Sequence, residues 1–247
     1  MNNIICFLTV TPNEKFYAFV KQLPDIDNIY ICIDNNDYNI PNYDGKIKII
    51  KINNKESIEN GFHSSLTGFG NPGFKNPWTG KAGSRDKALY YFYKNNINYD
   101  YIWFIEEDVF IPTVETIKNI DIKYPDNDLL VGNNKIIHEK HTDWLWSIVN
   151  EQIDGKISLP YSCSMICAIR CSKKLLESIF THVLKYKALF LDEVLFNTIA
   201  LHNNLSIQVI EELSTIHWCK NWEKNDININ NLYHPIKSID LQYEFRK

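Results

Sequence analysis

The chain has 247 residues, 45% of them hydrophobic and 23% charged. That is ordinary globular usage, long enough for a sizeable core, and it excludes collagen, coiled coil and disorder. With 26 Lys and Arg against 30 Asp and Glu, the net charge is −4, not the basic balance of a nucleic-acid binder.

No run of about 18 apolar residues occurs, so no membrane span is expected. The opening MNNIICFLTVTPN lacks the basic start and long apolar stretch of a signal peptide and reads as a buried first strand. A cytoplasmic location is expected.

Apolar runs and helical spacings alternate through the first half. Strands are predicted over Ile4–Thr11, Ile29–Ile33, Ile47–Ile52 and Tyr101–Ile105. Helices are predicted over Glu14–Leu23, where Phe16, Phe19, Val20 and Leu23 share a face, and over Lys87–Asn95. Short apolar strands separated by helices imply an α/β fold with a mostly parallel sheet buried on both faces.

In the second half, strands are predicted at Leu129–Gly132, Pro160–Arg170 and Leu205–Ile210. Helices follow at Ser172–Phe180 and Asp192–Asn203, and an irregular tail from about Lys220 wraps the core. No composition break marks a linker. One domain is expected, with a nucleotide-binding half over 1–110 and an acceptor-side half over 111–247.

Six of the nine Gly fall between Asn60 and Ser84, with Pro72 and Pro77 among them. No GxxxxGK[ST] phosphate loop occurs there. Such a segment reads as a flap near the site, carrying Trp78, or as a surface insertion. Cys6 and Cys32 lie in apolar runs and read as core residues. Cys163, Cys167 and Cys171 are spaced four apart, no paired CxxC occurs, and free reduced thiols are expected.

Ligands of an open parallel sheet bind beyond the carboxyl ends of its strands. Three predicted strands end in polar residues: Thr9 to Pro12, Asp34, and Glu106-Glu107-Asp108. Three adjacent carboxylates at a buried strand end repel one another unless a cation relieves them. Glu106 and Asp108, two apart in extended chain, can face one ligand. Their hard oxygens suit Mg²⁺ or Mn²⁺, and an imidazole tilts the choice toward Mn²⁺.

Four segments, in order, resemble nucleotide-sugar glycosyltransferases of the GT-A fold. YDYIWFIEEDVFIP resembles their DxD region, and GKAGSRDKALYYF the loop-to-helix segment that contacts the nucleotide. FLDEVLFNTIALHNN resembles their xED segment, and IQVIEELSTIHW the strand that ends in a metal-binding His. The resemblance implies a GT-A-like fold and a metal-dependent transfer from a nucleotide-sugar donor, a UDP-sugar, to a glycan or other hydroxyl acceptor.

By that resemblance Asp108 coordinates the metal, Mn²⁺ or Mg²⁺, and Glu106 contacts ribose or metal-bound water, with Glu107 beside it. His217 completes the metal shell, with His234 as rival ligand. Thr9 lies at the first strand end. Asp34 accepts from base or ribose, Arg85 or Lys87 holds phosphate, and Asp86 contacts ribose or the donor sugar. Lys237 meets the diphosphate. Glu193 is the catalytic base, with Asp192 as alternative, and a placed base favours inversion.

Each motif has a plainer use: helix capping for Ser84 or Asp86, dipole pairing for Asp192 and Glu193, packing for His217. Two other functions compete. A sugar nucleotidyltransferase would carry a Gly-rich basic signature where this chain reads TVTPNEKF. A non-catalytic module would bind glycans, through Trp78, Trp144 and Trp146 for example.

Overall fold

A strand apolar at every position, such as Ile29–Ile33, needs cover on both faces, and the structure buries all five of its residues. A computed structural model of the protein describes residues 2–24, 28–40, 47–64, 82–140, 149–150 and 152–247. The Gly-rich stretch 65–81, with Trp78, and 141–148, with Trp144 and Trp146, lie outside the described residues.

The described elements run β1 (Asn3–Thr9), α1 (Glu14–Val20), β2 (Ile29–Ile33), β3 (Lys48–Ile50), α2 (Asn54–Glu59), α3 (Ser84–Asn95), β4 (Tyr101–Glu106) and α4 (Thr116–Lys123). Then follow β5 (Leu129–Val131), β6 (Lys135–Ile137), β7 (Tyr161–Cys163), β8 (Ala168–Ser172), α5 (Lys173–Tyr186), α6 (Asp192–His202), β9 (Ile207–Val209) and α7 (Ile239–Phe245).

Among the described residues, seven strands form one mixed sheet in the order β3-β2-β1-β4-β8-β5-β9. β8 runs antiparallel to both its neighbours, and every other pairing is parallel. The architecture is α/β with a mostly parallel sheet, compatible with a Rossmann-like fold. The chain first steps outward from β1 to β2 and β3, then returns to place β4 on the other side of β1. That reversal makes a topological switch point between β1 and β4.

Side-chain alternation divides the core into two layers. Ile4, Cys6, Leu8, Ile102 and Phe104 pack with Leu89 and Phe92 of α3 and Phe196 of α6. Phe7, Trp103 and Ile105 point to the opposite face, against Phe16 and Val20 of α1 and Ile117 and Ile120 of α4. A third small cluster joins Phe110, Trp222, Tyr233 and Ile236.

The expectation of one strand over Pro160–Arg170 is corrected: β7 pairs with β6 in a separate two-stranded sheet, and β8 enters the main sheet. The ladder breaks because the N–H of Ser164 donates to the Glu193 carbonyl at 3.0 Å and that of Met165 to Asn133 Oδ1 at 3.2 Å. The tail is also more regular than expected. Phe110 and Tyr233 form a bridge, and α7 closes the chain, capped by the Ser238 hydroxyl. All six cysteines are free. No helix among the described residues is long and apolar enough to cross a membrane.

Candidate functional site

The carboxyl ends of β1, β2 and β4 form one polar edge at the switch point. The alternation that sends Ile102 and Phe104 toward α3 and α6 sends Glu106 the same way. Glu107 takes the opposite side, where the Thr9 hydroxyl donates to its carboxylate. Asp34 follows β2, and its N–H donates to the Thr9 carbonyl at 2.8 Å. Glu106, Glu107 and Asp108 are all half-buried.

The C-terminal tail braces this acidic turn from behind. The N–H of Ile236 donates to the Asp108 carbonyl at 2.8 Å. The buried amide of Gln242 donates to the carbonyls of Glu107, at 3.0 Å, and Ile236, at 2.9 Å. Arg246 donates to the Ile111 carbonyl at 2.9 Å while stacking on Phe19.

α3 delivers two buried cations to the edge. Arg85 binds Glu106 at 2.9 Å, Asp192 through its other amino group, and the Ile166 carbonyl at 2.9 Å. Burial lowers the guanidinium's pKa, but the charges of Asp192 and Glu106 outweigh this and raise it. Lys87 is fully buried, and its three protons meet the Asp34 carbonyl, Asp34 Oδ1 at 2.9 Å and Asn36 Oδ1 at 3.0 Å. A buried ammonium is tolerated only when so paired. In this structure both cations are engaged internally, where they hold strand-end carboxylates in place.

Asp86 is buried at the start of α3. Its carboxylate accepts from the N–H of Gly83 at 3.0 Å and from the N–H and hydroxyl of Ser64, each at 3.4 Å. That is helix capping, and it turns the carboxylate inward. Burial, helped by the charge of Asp192, pushes it up to about 6.

Asp192 and Glu193 form the first turn of α6, where a helix dipole favours negative charge. Asp192 faces Arg85. Burial pushes Glu193 up to about 7, with Asp192 adding to the rise and Arg85 opposing it. A carboxylate in that range exchanges a proton readily at neutral pH.

Opposite them, donor atoms of Glu106, Cys167 and His234 lie within 4.8 Å of one another. His234 Nε2 sits 3.4 Å from Asp108 Oδ2. Its Nδ1 contacts the His217 carbonyl, which can only accept, so Nδ1 carries a proton. Burial lowers the imidazole's pKa, but the Asp108 contact outweighs this and raises it. Burial raises the Cys167 thiol, and Glu106 adds to that.

Of the two His candidates, the structure brings His234 to the acidic turn. The His217 side chain is exposed against Trp222, and only its backbone touches His234. Lys237 is exposed, one residue beyond the Ile236 that holds Asp108. From sequence alone Cys167 reads as an ordinary free thiol. Its neighbourhood comes from the β4–β8 pairing, in which the Glu106 N–H donates to the Cys167 carbonyl at 2.8 Å. No short-range spacing signals that pairing.

No family model matches this chain, and no curated protein matches it significantly.

Proposed function

We propose that the chain is a metal-dependent glycosyltransferase, GT-A-like in fold, moving a sugar from a UDP-sugar to a hydroxyl acceptor. The observation that carries this reading is the meeting of Glu106, Asp108 and His234 beside the β1–β4 switch point, the edge where α/β sheets take nucleotides. A divalent cation such as Mn²⁺ fits these donors. With His234 Nδ1 tied to the His217 carbonyl, Nε2 is the ring nitrogen left for a ligand, and it faces Asp108.

When bound, such a cation neutralises the charge of a departing diphosphate. Asp108 and His234 would hold it, and Glu106, fixed by Arg85, would orient ribose or a water beside the cation. Lys237 reaches the diphosphate from the adjoining tail. Asp34, its Oδ1 occupied by Lys87, offers its remaining oxygen to the base or ribose. Glu193 takes the proton from the acceptor hydroxyl as that oxygen bonds to the sugar carbon and the bond to the diphosphate breaks. Direct displacement of this kind inverts the anomeric centre.

The test is to incubate the protein with Mn²⁺ and a panel of sugar nucleotides, following donor hydrolysis and binding. Turnover of one donor, lost in Asp108→Ala, is expected. Neither binding nor hydrolysis across the panel would count against the reading, and a donor retained by Asp108→Ala would point to a non-catalytic binding module.

A further inference from the structure

The edge holds a soft ligand among hard ones. The Cys167 thiol lies within 4.8 Å of Glu106 and His234 donor atoms, and His234 contacts Asp108 at 3.4 Å. A site built only for Mg²⁺ or Mn²⁺ has no use for sulfur. Carboxylate, imidazole and thiolate together are the ligands of Zn²⁺, which binds sulfur at about 2.3 Å and nitrogen or oxygen at about 2.0–2.2 Å. Tetrahedral ligands at those lengths stand about 3.3–3.7 Å from one another.

The surroundings match what a zinc site needs outside its ligands. Metal-bound imidazoles donate their second nitrogen to a carbonyl or carboxylate, as His234 Nδ1 does to His217. Metal-bound carboxylates are themselves hydrogen-bonded, as Glu106 is to Arg85 through Oε1. The Glu106 N–H to Cys167 carbonyl bond ties the end of β4 to the residue that precedes β8, so the backbones of two of the ligands are held together.

We infer that Glu106, Cys167 and His234, with Asp108 as fourth ligand, form a site that selects Zn²⁺ over Mn²⁺ through the Cys167 thiolate. As the Zn–S bond forms, the thiol proton passes to solvent, and no electron is transferred. The inference rests on reading this edge as a cation site. It does not require sugar transfer.

The test uses the full chain stripped of metal, with no nucleotide present. Co²⁺ is a spectroscopic stand-in for Zn²⁺, and its complex should show a thiolate-to-cobalt charge-transfer band in the near ultraviolet. Cys167→Ser should abolish the band and lower the Zn²⁺-to-Mn²⁺ affinity ratio by about 100-fold. Zn²⁺ outranks Mn²⁺ at almost any site, so the change in ratio, and not the ratio itself, is decisive.

Cys163→Ser, whose thiol lies on β7, should leave band and ratio intact. His234→Gln keeps every cysteine and should weaken Zn²⁺ about tenfold or more, which serves if Cys167→Ser does not fold. A wild-type Co²⁺ complex without the band, or a ratio unmoved in Cys167→Ser, overturns the inference. An intact band in a protein that hydrolyses no donor sinks the transferase and leaves the zinc site standing.

Discussion

Arg85 and Asp192 stand 107 residues apart in sequence, yet the guanidinium of one grips the carboxylate of the other. The same guanidinium holds Glu106, so one side chain joins the head of α6 to the end of β4. These are the two places where proton transfer and cation binding are proposed, and Arg85 sets the distance between them.

Replacing Arg85 by Lys keeps the charge but loses the fork that reaches three acceptors. Urea unfolding should show a loss of about 2–4 kcal/mol, since removing one partner of a buried pair strands the others. Turnover should fall more than about tenfold, because both carboxylates are freed at once. An Arg85→Lys protein with the wild-type midpoint and rate would contradict this role.

Lys87 makes a sharper stability case, because it is fully sealed from solvent. Lys87→Met keeps the volume and removes all three bonds to Asp34 and Asn36. The unpaired Asp34 is only partly solvated, and a loss of about 3 kcal/mol is expected in chemical unfolding. If Lys87 instead met phosphate, the variant would keep its stability and lose donor binding.

Two carboxyls set the expected pH dependence. Glu193 moves from 4.5 to about 7 on folding and Asp86 from 3.8 to about 6. Both are raised acids, so the folded state holds more protons than the unfolded chain between those values. Their contribution is fully present below the unfolded pKa, and it is lost as pH rises toward about 7. Glu193→Gln should flatten the decline of unfolding free energy from about pH 4.5 to about pH 7, relative to the unmodified protein. Parallel curves would contradict the burial of Glu193. If Glu193 is the proposed base, kcat/KM of the unmodified protein should rise with pH through about 7 as Glu193 loses its proton.

Much of the sheet is legible in the sequence because its central strands are mostly apolar runs. The predicted Ile29–Ile33 strand matches β2, and Tyr101–Ile105 falls one residue short of β4. The strand over Pro160–Arg170 failed because two short strands of different sheets adjoin in sequence. Contacts of the intervening turn, among them those to Glu193 and Asn133, separate them. Short helices such as α4, with little more than Ile117 and Ile120 turned inward, carry too weak a period to read.

The site divides in the same way. The acidic strand end and the acidic helix head stand out as local patterns. Their partners do not: Arg85 meets Glu106, and Cys167 and His234 meet the acidic turn, only through sheet order and the returning tail. By the resemblance His217 comes before His234, because it stands where IQVIEELSTIHW matches the strand that ends in a metal-binding His. The bridge of Phe110 to Tyr233 instead carries His234 inward and leaves the His217 ring outside.

The most direct test of the central claim is calorimetric titration of UDP into the protein with Mn²⁺ and with EDTA, repeated on Asp108→Asn. If Glu106, Asp108 and His234 hold a cation against a diphosphate, UDP binds only with the metal and weakens at least about 100-fold in Asp108→Asn. Equal UDP affinity with and without the metal, unchanged by Asp108→Asn, would contradict it.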